Sequence, residues 1–134
     1  MKTLVISLDT SRSHFVDITV QARRFCSEAG RDGLLNVFSP HATAGLALME
    51  TGAGSEADLE QVLEELLPRT DRYAHGHGST GHGADHLLPT FLAPSLSIPV
   101  VAGEPALGTW QSVVLVDFNR DNPQRKVRFS FLSD

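Results

Sequence analysis

Four of the six histidines fall in one short, glycine-rich stretch, residues 73–86, which reads YAHGHGSTGHGADH. Neutral imidazole is the commonest protein ligand for a transition metal, and glycine lets several rings approach one point. A tract of this kind can also be a plain polar loop, but this one is internal and has apolar sequence on both sides. The composition therefore favours a loop that carries ligands.

Three imidazoles with a fourth position open to water are the arrangement of catalytic zinc. The chain can supply His41 after one predicted strand, His75 or His77 from the loop, and His86 at a predicted helix start. No HExxH helix and no paired CxxC motif is present, so the ligands would come from separate elements. His14 follows a strand pattern, and we interpret it as structural.

Two carboxylates are placed where they could move a proton or orient a ligand imidazole. Glu50 closes a predicted strand, and Asp58 follows Ser55 by three residues in a pattern that resembles a helix capping box. Both side chains also suit an ordinary surface position. The residues alone leave these two readings open.

Alternating apolar and polar residues predict the strands that must position these side chains. Residues 2–8 and 14–19 predict an opening hairpin around a polar turn at 9–12. The other strands are predicted at residues 33–39, 43–50, 95–101, 108–118 and 126–132. The last third of the chain is therefore expected to be antiparallel β.

Apolar residues at spacings of three and four predict two main helices, over residues 18–29 and 55–67, the second stopped by Pro68. A short third helix is expected to be capped by Asp85, with Pro89 in its first turn. The fold class is α+β, with a mainly antiparallel, sandwich-like β core.

The 134 residues suit one domain, and a hydrophobic fraction of 41% predicts a folded globular chain. A net charge of −5 argues against binding nucleic acid. The single cysteine, Cys26, cannot form an internal disulfide and is interpreted as a packing residue. With no signal-peptide pattern and no apolar run of about 20 residues, we expect a cytoplasmic protein that does not enter a membrane.

Several motifs, in this order along the chain, resemble the YjbQ-like family, which is also described as secondary thiamine-phosphate synthase. GTWQ is the most specific of them, and the match runs along nearly the whole chain. The motifs are HATAGL at 41–46 with Glu50, Tyr73-x-His75, Asp85-His86-Leu87, SLSIPV at 95–100, GTWQ at 108–111 and Arg125-Lys126.

Members of that family are compact α+β proteins that assemble as homotrimers and bind a divalent metal through histidines near a subunit boundary. The resemblance implies a zinc site with these ligands: His41, His75 and His86. It implies Glu50 and Asp58 as accompanying acids. It implies a small-molecule substrate bound by Thr109, Trp110, Gln111 and Arg125.

Two positions depart from the family pattern, because Ala42 replaces the usual Thr or Ser and Met49 replaces a common Asn. Two polar groups that could orient ligands or substrate are therefore lost. The loop is also richer in histidine than the pattern requires, which leaves His77 and His82 as reserve ligands.

The resemblance implies an enzyme that joins a pyrimidine diphosphate to a thiazole phosphate and releases pyrophosphate. No glycine-rich phosphate-binding motif is present and the net charge is negative, so we expect thiamine-phosphate synthesis to be a side activity. The alternative is a non-enzymatic trimer that binds a metal or small ligand at a structural or sensory histidine site. A metal-free cluster of core histidines is a third reading.

Overall fold

Eight strands and three helices build the protein, described here by a computed structural model of residues 1–134. The helices are α1 (Thr19–Ala29), α2 (Ser55–Leu66) and α3 (His82–Phe91). The strands are β1 (Lys2–Asp9), β2 (Phe15–Asp17), β3 (Gly33–Phe38), β4 (Gly45–Met49), β5 (Ser95–Val101), β6 (Glu104–Pro105), β7 (Ser112–Val116) and β8 (Gln124–Leu132).

The strands form two antiparallel sheets, one of five strands in the order β1-β8-β3-β5-β6 and one of three in the order β2-β7-β4. This arrangement confirms the predicted α+β class with an antiparallel β core. None of the three helices has the length and apolar character needed to cross a membrane.

The main core lies between the two sheets and is closed by α1. Because strand side chains alternate between faces, every second residue of β3, β5 and β8 points into it. Phe25 and Cys26 of α1 are buried in this core, as predicted for Cys26. From β7, Val113 and Leu115 complete it.

A smaller second core lies on the other face of the three-stranded sheet. Val114 and Val116 of β7 meet Leu63 of α2 and Leu88 of α3 there. Strand β7 is therefore buried on both faces, and its packing fixes α3 against the sheet.

The predicted opening hairpin is wrong, because β1 pairs with β8 and β2 pairs with β7 in the other sheet. Between them Thr10 is buried, and its N–H donates to the Pro123 carbonyl at 3.0 Å while its hydroxyl donates to Asp117 at 2.6 Å. These bonds turn the chain away from β1 and towards the second sheet.

Both predicted helix caps are also wrong. Helix α3 begins at His82 after Gly81, whose φ of 91° favours glycine, so Asp85 lies inside the helix and Pro89 lies beyond its first turn. Helix α2 follows Gly54 with no side-chain cap. The earlier start of α3 places His82 and His86 one turn apart on the same helical face.

Some strand bounds differ from the predictions. Strand β4 begins at Gly45 rather than residue 43, and β7 begins at Ser112, after a turn that contains GTWQ. Strand β6 was not predicted. It follows a two-residue turn in which Ala102 and Gly103 have φ values of 50° and 81°, as in a tight hairpin.

Candidate metal centre

Three histidines converge where the glycine-rich loop meets the start of α3. His75 belongs to the loop, and His82 and His86 to the helix; one ring nitrogen from each lies within 4.8 Å of the others. The Nε2 atoms of His82 and His86 are 3.0 Å apart. The ring of His75 is stacked on that of His82, with centroids 5.2 Å apart.

Glycines allow the loop and the helix to approach this closely. A Cβ atom at Gly83 would lie 2.7 Å from the Cβ of Tyr73, whose hydroxyl donates to the Pro68 carbonyl at 2.8 Å. A Cβ at Gly78 would lie 2.6 Å from Cγ of His82, and the φ of +82° at Gly78 favours glycine as well. The abundance of glycine in the loop thus has a direct steric reason.

The cluster favours neutral imidazoles, the form that binds metals. Desolvation lowers the pKa of His75, and the neighbouring His77 and His82 lower it further. Desolvation also lowers the pKa of His86, followed by repulsion from the other histidines of the cluster. The neighbouring rings thus disfavour a second proton on His75 and on His86.

His77 stands at the margin of the cluster. Its ring centroid is 4.0 Å from that of His75 and 6.5 Å from that of His86. It is exposed, and its nitrogens are not among the three that converge. Of the two reserve ligands, the structure brings His82 into the set and leaves His77 beside it.

The structure does not bring His41 into the cluster. Its Nε2 accepts a hydrogen bond from the Lys126 N–H at 2.9 Å. Because β3 pairs with β8, the residues that follow β3 lie against the start of β8, beside Arg125. Desolvation and the charge of Arg125 both lower the pKa of His41. Within one chain His41 therefore lies apart from His75 and His86, and its role as a third ligand stays a prediction.

Arg125, expected to meet the substrate, is buried and paired. Its Nε donates to Asp117 Oδ2 at 2.7 Å, and its Nη2 donates to Asp117 Oδ1 at 3.0 Å and to Thr43 Oγ1 at 2.8 Å. The residue is only 3% exposed. A guanidinium committed in this way is not free to bind pyrophosphate within one chain, and a role for Arg125 at the substrate stays a prediction.

The other predicted site residues also lie outside the histidine cluster. Glu50, after β4, and Asp58, on α2, are exposed, and neither belongs to the converging set. Thr109 and Trp110 are exposed in a turn that Gln111 closes by donating its N–H to the Gly108 carbonyl at 3.0 Å. The Gln111 side chain accepts the Gly108 N–H at 2.8 Å. Within one chain, the structure does not join these residues to the metal-capable histidines.

Three polar residues that were not predicted connect the histidine cluster to the buried pair of Asp117 and Arg125. They are Asp117 itself, Asn119 and Asp121. His82 Nδ1 lies 2.7 Å from Asp121 Oδ2. The Asn119 amide nitrogen donates to Asp85 Oδ2 at 3.0 Å, and the Asn119 N–H donates to Asp117 Oδ1 at 3.0 Å. A signal for them existed, because three polar residues at alternate positions directly follow the apolar run of β7.

Two carboxylates stabilise this region, Asp85 through an ion pair and Asp121 through hydrogen bonds. Asp85 forms a two-point ion pair with Arg69, with Arg69 Nη2 donating to Oδ2 at 3.3 Å. The hydrogen bond from the Ser79 N–H is the main cause of a lowered pKa at Asp121. Asp121 is therefore ionised at neutral pH and accepts hydrogen bonds at the edge of the cluster.

The fold and the histidine cluster define a small α+β protein with a site suited to a divalent metal. A family model described as UPF0047 protein YjbQ-like matches residues 4–134. The UPF0047 protein Rv2556c of Mycobacterium tuberculosis is 62% identical over 132 residues, which cover 98% of both chains. This chain belongs to the YjbQ-like UPF0047 family, as its motifs predicted.

Solved structures share the whole fold. The hypothetical protein APE1520 from Aeropyrum pernix K1 has a TM-score of 0.88 at 31% identity, and the match covers 100% of both chains. A YbjQ-like protein of unknown function, SSO2532 from Sulfolobus solfataricus P2, has a TM-score of 0.91 at 25% identity, covering 99% of this chain and 97% of the other. The two sheets and three helices are thus a family architecture.

Proposed function

We propose that His75, His82 and His86 bind a divalent metal ion, most suitably zinc, and that the protein is a metal-dependent enzyme acting on a small substrate. The observation that carries this proposal is the convergence of three ring nitrogens within 4.8 Å. Three protein ligands leave a fourth position open, which is typical of catalytic rather than structural zinc.

The residues fit such an ion. Zinc–nitrogen bonds of about 2.0–2.1 Å around a tetrahedral centre separate two nitrogens by roughly 3.3 Å. The Nε2 atoms of His82 and His86 are already 3.0 Å apart, so small shifts suffice for both to bind one ion. A bound ion supplies a Lewis acid at this position.

The particular reaction that we propose is the formation of thiamine phosphate from a pyrimidine diphosphate and a thiazole phosphate, as a side activity. Support comes from the family resemblance. With Arg125 committed to Asp117, the cations left to meet phosphate groups near the cluster are the exposed Arg72 and Arg120. Arg72 directly precedes the glycine-rich loop that carries His75. Arg120 directly precedes Asp121, which contacts His82.

The first test is metal content and affinity in protein that has never met an affinity column. We expect stoichiometric zinc in wild-type protein and its loss in His86→Ala, together with loss of thiamine-phosphate formation. Wild-type protein that takes up no zinc at neutral pH would remove the metal proposal. A zinc-loaded enzyme with no turnover of the two precursors would remove the thiamine reaction and leave the metal site.

Glu50→Ala tests the acid that the resemblance implies. Glu50 is exposed in one chain, so a catalytic role requires a neighbouring subunit to bring it to the metal. In that case the variant keeps its zinc and loses turnover. Unchanged turnover would mean that Glu50 is an ordinary surface carboxylate.

We also propose a homotrimer. Trp110 is the single tryptophan and is 74% exposed, and the sheet face opposite α1 leaves Leu34, Phe38 and Val101 uncovered. Apolar exposure of this kind is usual at a contact between subunits. Light scattering should give three times the chain mass, and Trp110 emission should shift to the red on dissociation. A monomer with fully solvated Trp110 emission at micromolar concentration would contradict assembly.

A non-enzymatic metal-binding trimer is the second candidate function, favoured by the positions of Glu50 and Asp58, which lie outside the histidine cluster in one chain. X-ray absorption of the zinc-loaded protein separates the two functions. Three imidazoles plus an exchangeable oxygen support an enzyme, and four protein ligands support a structural site. The proposed cytoplasmic location can be checked by fractionating cells.

A further inference from the structure

We infer that Asp121 is a positioning residue, which fixes the tautomer of His82 and so directs its Nε2 lone pair at the metal position. The inference rests on the proposed metal site. A carboxylate only accepts hydrogen bonds, and Asp121 Oδ2 lies 2.7 Å from His82 Nδ1. The proton of a neutral His82 ring is therefore on Nδ1, and Nε2 keeps its lone pair.

The direction of that lone pair matches the cluster. His82 Nε2 lies 3.0 Å from His86 Nε2, on the side where the three histidines converge. In the other tautomer, Nε2 would carry the proton and could not bind a metal. A histidine side chain in water slightly prefers that other tautomer, so the protein has to impose the competent one.

Asn119, the other polar group beside His82, cannot do this. Its Nδ2 lies 3.2 Å from His82 Nδ1 and donates to Asp85 Oδ2 at 3.0 Å, and an amide nitrogen can only donate, so it cannot accept the Nδ1–H of His82. Its Oδ1 accepts the N–H groups of Asp121 at 3.1 Å and Asn122 at 3.0 Å. Asn119 therefore builds the turn, and Asp121 supplies the acceptor.

Asp121 also links three parts of the chain at one carboxylate oxygen. Oδ2 accepts the Ser79 N–H at 3.1 Å from the glycine-rich loop and faces His82 on α3. The turn that carries it is tied to Asp117 through the Asn119 N–H. The loop and α3 thus share one anchor next to the metal position.

Carboxylates that hold the second nitrogen of a ligand histidine make the ring more basic and orient it, and their loss typically costs about 10–100-fold in metal affinity. Asp121→Ala removes both acceptors and should show this loss. Asp121→Asn keeps one oxygen that can accept the Nδ1–H, so its loss should be smaller.

The experiment compares wild type, Asp121→Asn, Asp121→Ala and a control, Asp71→Asn. Asp71 is exposed shortly before Tyr73, so its substitution changes the net charge near the loop equally. Zinc affinity is measured by competition with a chromophoric chelator. The tautomer of His82 is read from long-range proton–nitrogen NMR of the metal-free ring, which a merely structural role would not move.

We expect Nδ1–H at His82 in wild type and in Asp71→Asn, and a shift towards Nε2–H in Asp121→Ala, with zinc affinity falling in the order wild type, Asn, Ala. An unchanged tautomer and affinity in Asp121→Ala would overturn the inference, as would an equal affinity loss in Asp71→Asn. If wild type binds no zinc but the tautomer still follows Asp121, the metal proposal fails and the positioning role stands.

Discussion

Two polar constellations, joined through Asn119, have opposite characters. Around Asp117 and Arg125, buried groups satisfy one another, and the Asp117 carboxylate accepts four hydrogen bonds, two of them from Arg125 and the others from Thr10 and Asn119. At the histidine cluster, three ring nitrogens face one another, and the shortest contact among them is the 3.0 Å pair of Nε2 atoms on His82 and His86. The first arrangement is closed, and the second can still take a ligand.

The difference indicates that the group around Asp117 and Arg125 stabilises the fold, whereas the histidine cluster is suited to binding. A buried pair whose hydrogen bonds are complete contributes to a unique fold, and its loss leaves an uncompensated charge. His75 and His86, whose pKa values are lowered by desolvation and then by the neighbouring rings, gain little from those rings and much from a cation. The family resemblance placed Arg125 with the substrate, and its burial and pairing place it in the first group.

The largest expected effect is on the buried pair. Arg125→Met leaves Asp117 ionised without its partner, so we expect a loss of about 3–5 kcal/mol in the free energy of unfolding. The control is Arg128→Met, an exposed position on the same strand, which should change that free energy by no more than about 0.5 kcal/mol. Urea unfolding measures both. Equal stability of the two variants would break the comparison.

The next effect belongs to the histidines. His82→Ala should weaken zinc binding by more than about 100-fold, the upper end for losing a residue that only supports a ligand. The free energy of unfolding in the presence of a chelator should stay close to that of wild type, because His82 is only partly buried at the surface of α3. Retained zinc affinity would show that the convergence is not a metal site.

His41→Ala sharpens the boundary between the two regions. The substitution removes the acceptor of the Lys126 N–H, so we expect a loss of about 0.5–1.5 kcal/mol in stability. Zinc affinity should be unchanged, in contrast to His82→Ala. A loss of zinc as large as in His82→Ala would mean that His41 reaches the metal from another subunit.

The smallest effect concerns the thiol in the main core. Burial raises the pKa of Cys26 to about 11 and leaves the side chain 0% exposed. The native thiol should therefore resist a disulfide reagent at pH 8 and react fully in denaturant. Since the folded pKa is the higher one, its contribution to stability is complete below pH 9.0 and is lost as the pH rises towards 11. Rapid native labelling would contradict this packing.

The sequence was sufficient for the fold class, and it singled out His75 and His86 as candidate ligands, because periodicity is local and the glycine-rich loop is unusual. It left His82 as a reserve ligand because we placed the helix start at Asp85 rather than after Gly81. That error of one turn hid the spacing of four between His82 and His86.

Long-range pairing explains the other errors. Nothing local reveals that β1 pairs with the last strand of the chain or that the end of β3 lies against β8, so the hairpin was wrongly predicted and the separation of His41 from the loop histidines within one chain was not. Arg125 was predictable in part. It shares the alternation of Val127 and Phe129, which point into the core, although the family resemblance implied that it meets the substrate.

Strand β7 has an unusual weakness, because Val113 to Val116 are all aliphatic and both faces are buried. Sliding it by one residue would exchange the side chains of the two cores with little change in apolar burial, so hydrophobicity does not define its alignment. The polar groups at its two ends must define the alignment. The Val113 N–H donates to Thr19 Oγ1 at 2.8 Å, and Asp117, directly after the strand, forms an ion pair with Arg125. Losing either of these two contacts would thus yield a mixture of compact conformers that differ in the register of β7. In the shifted conformers the turn bearing Asp121 is displaced from the histidines.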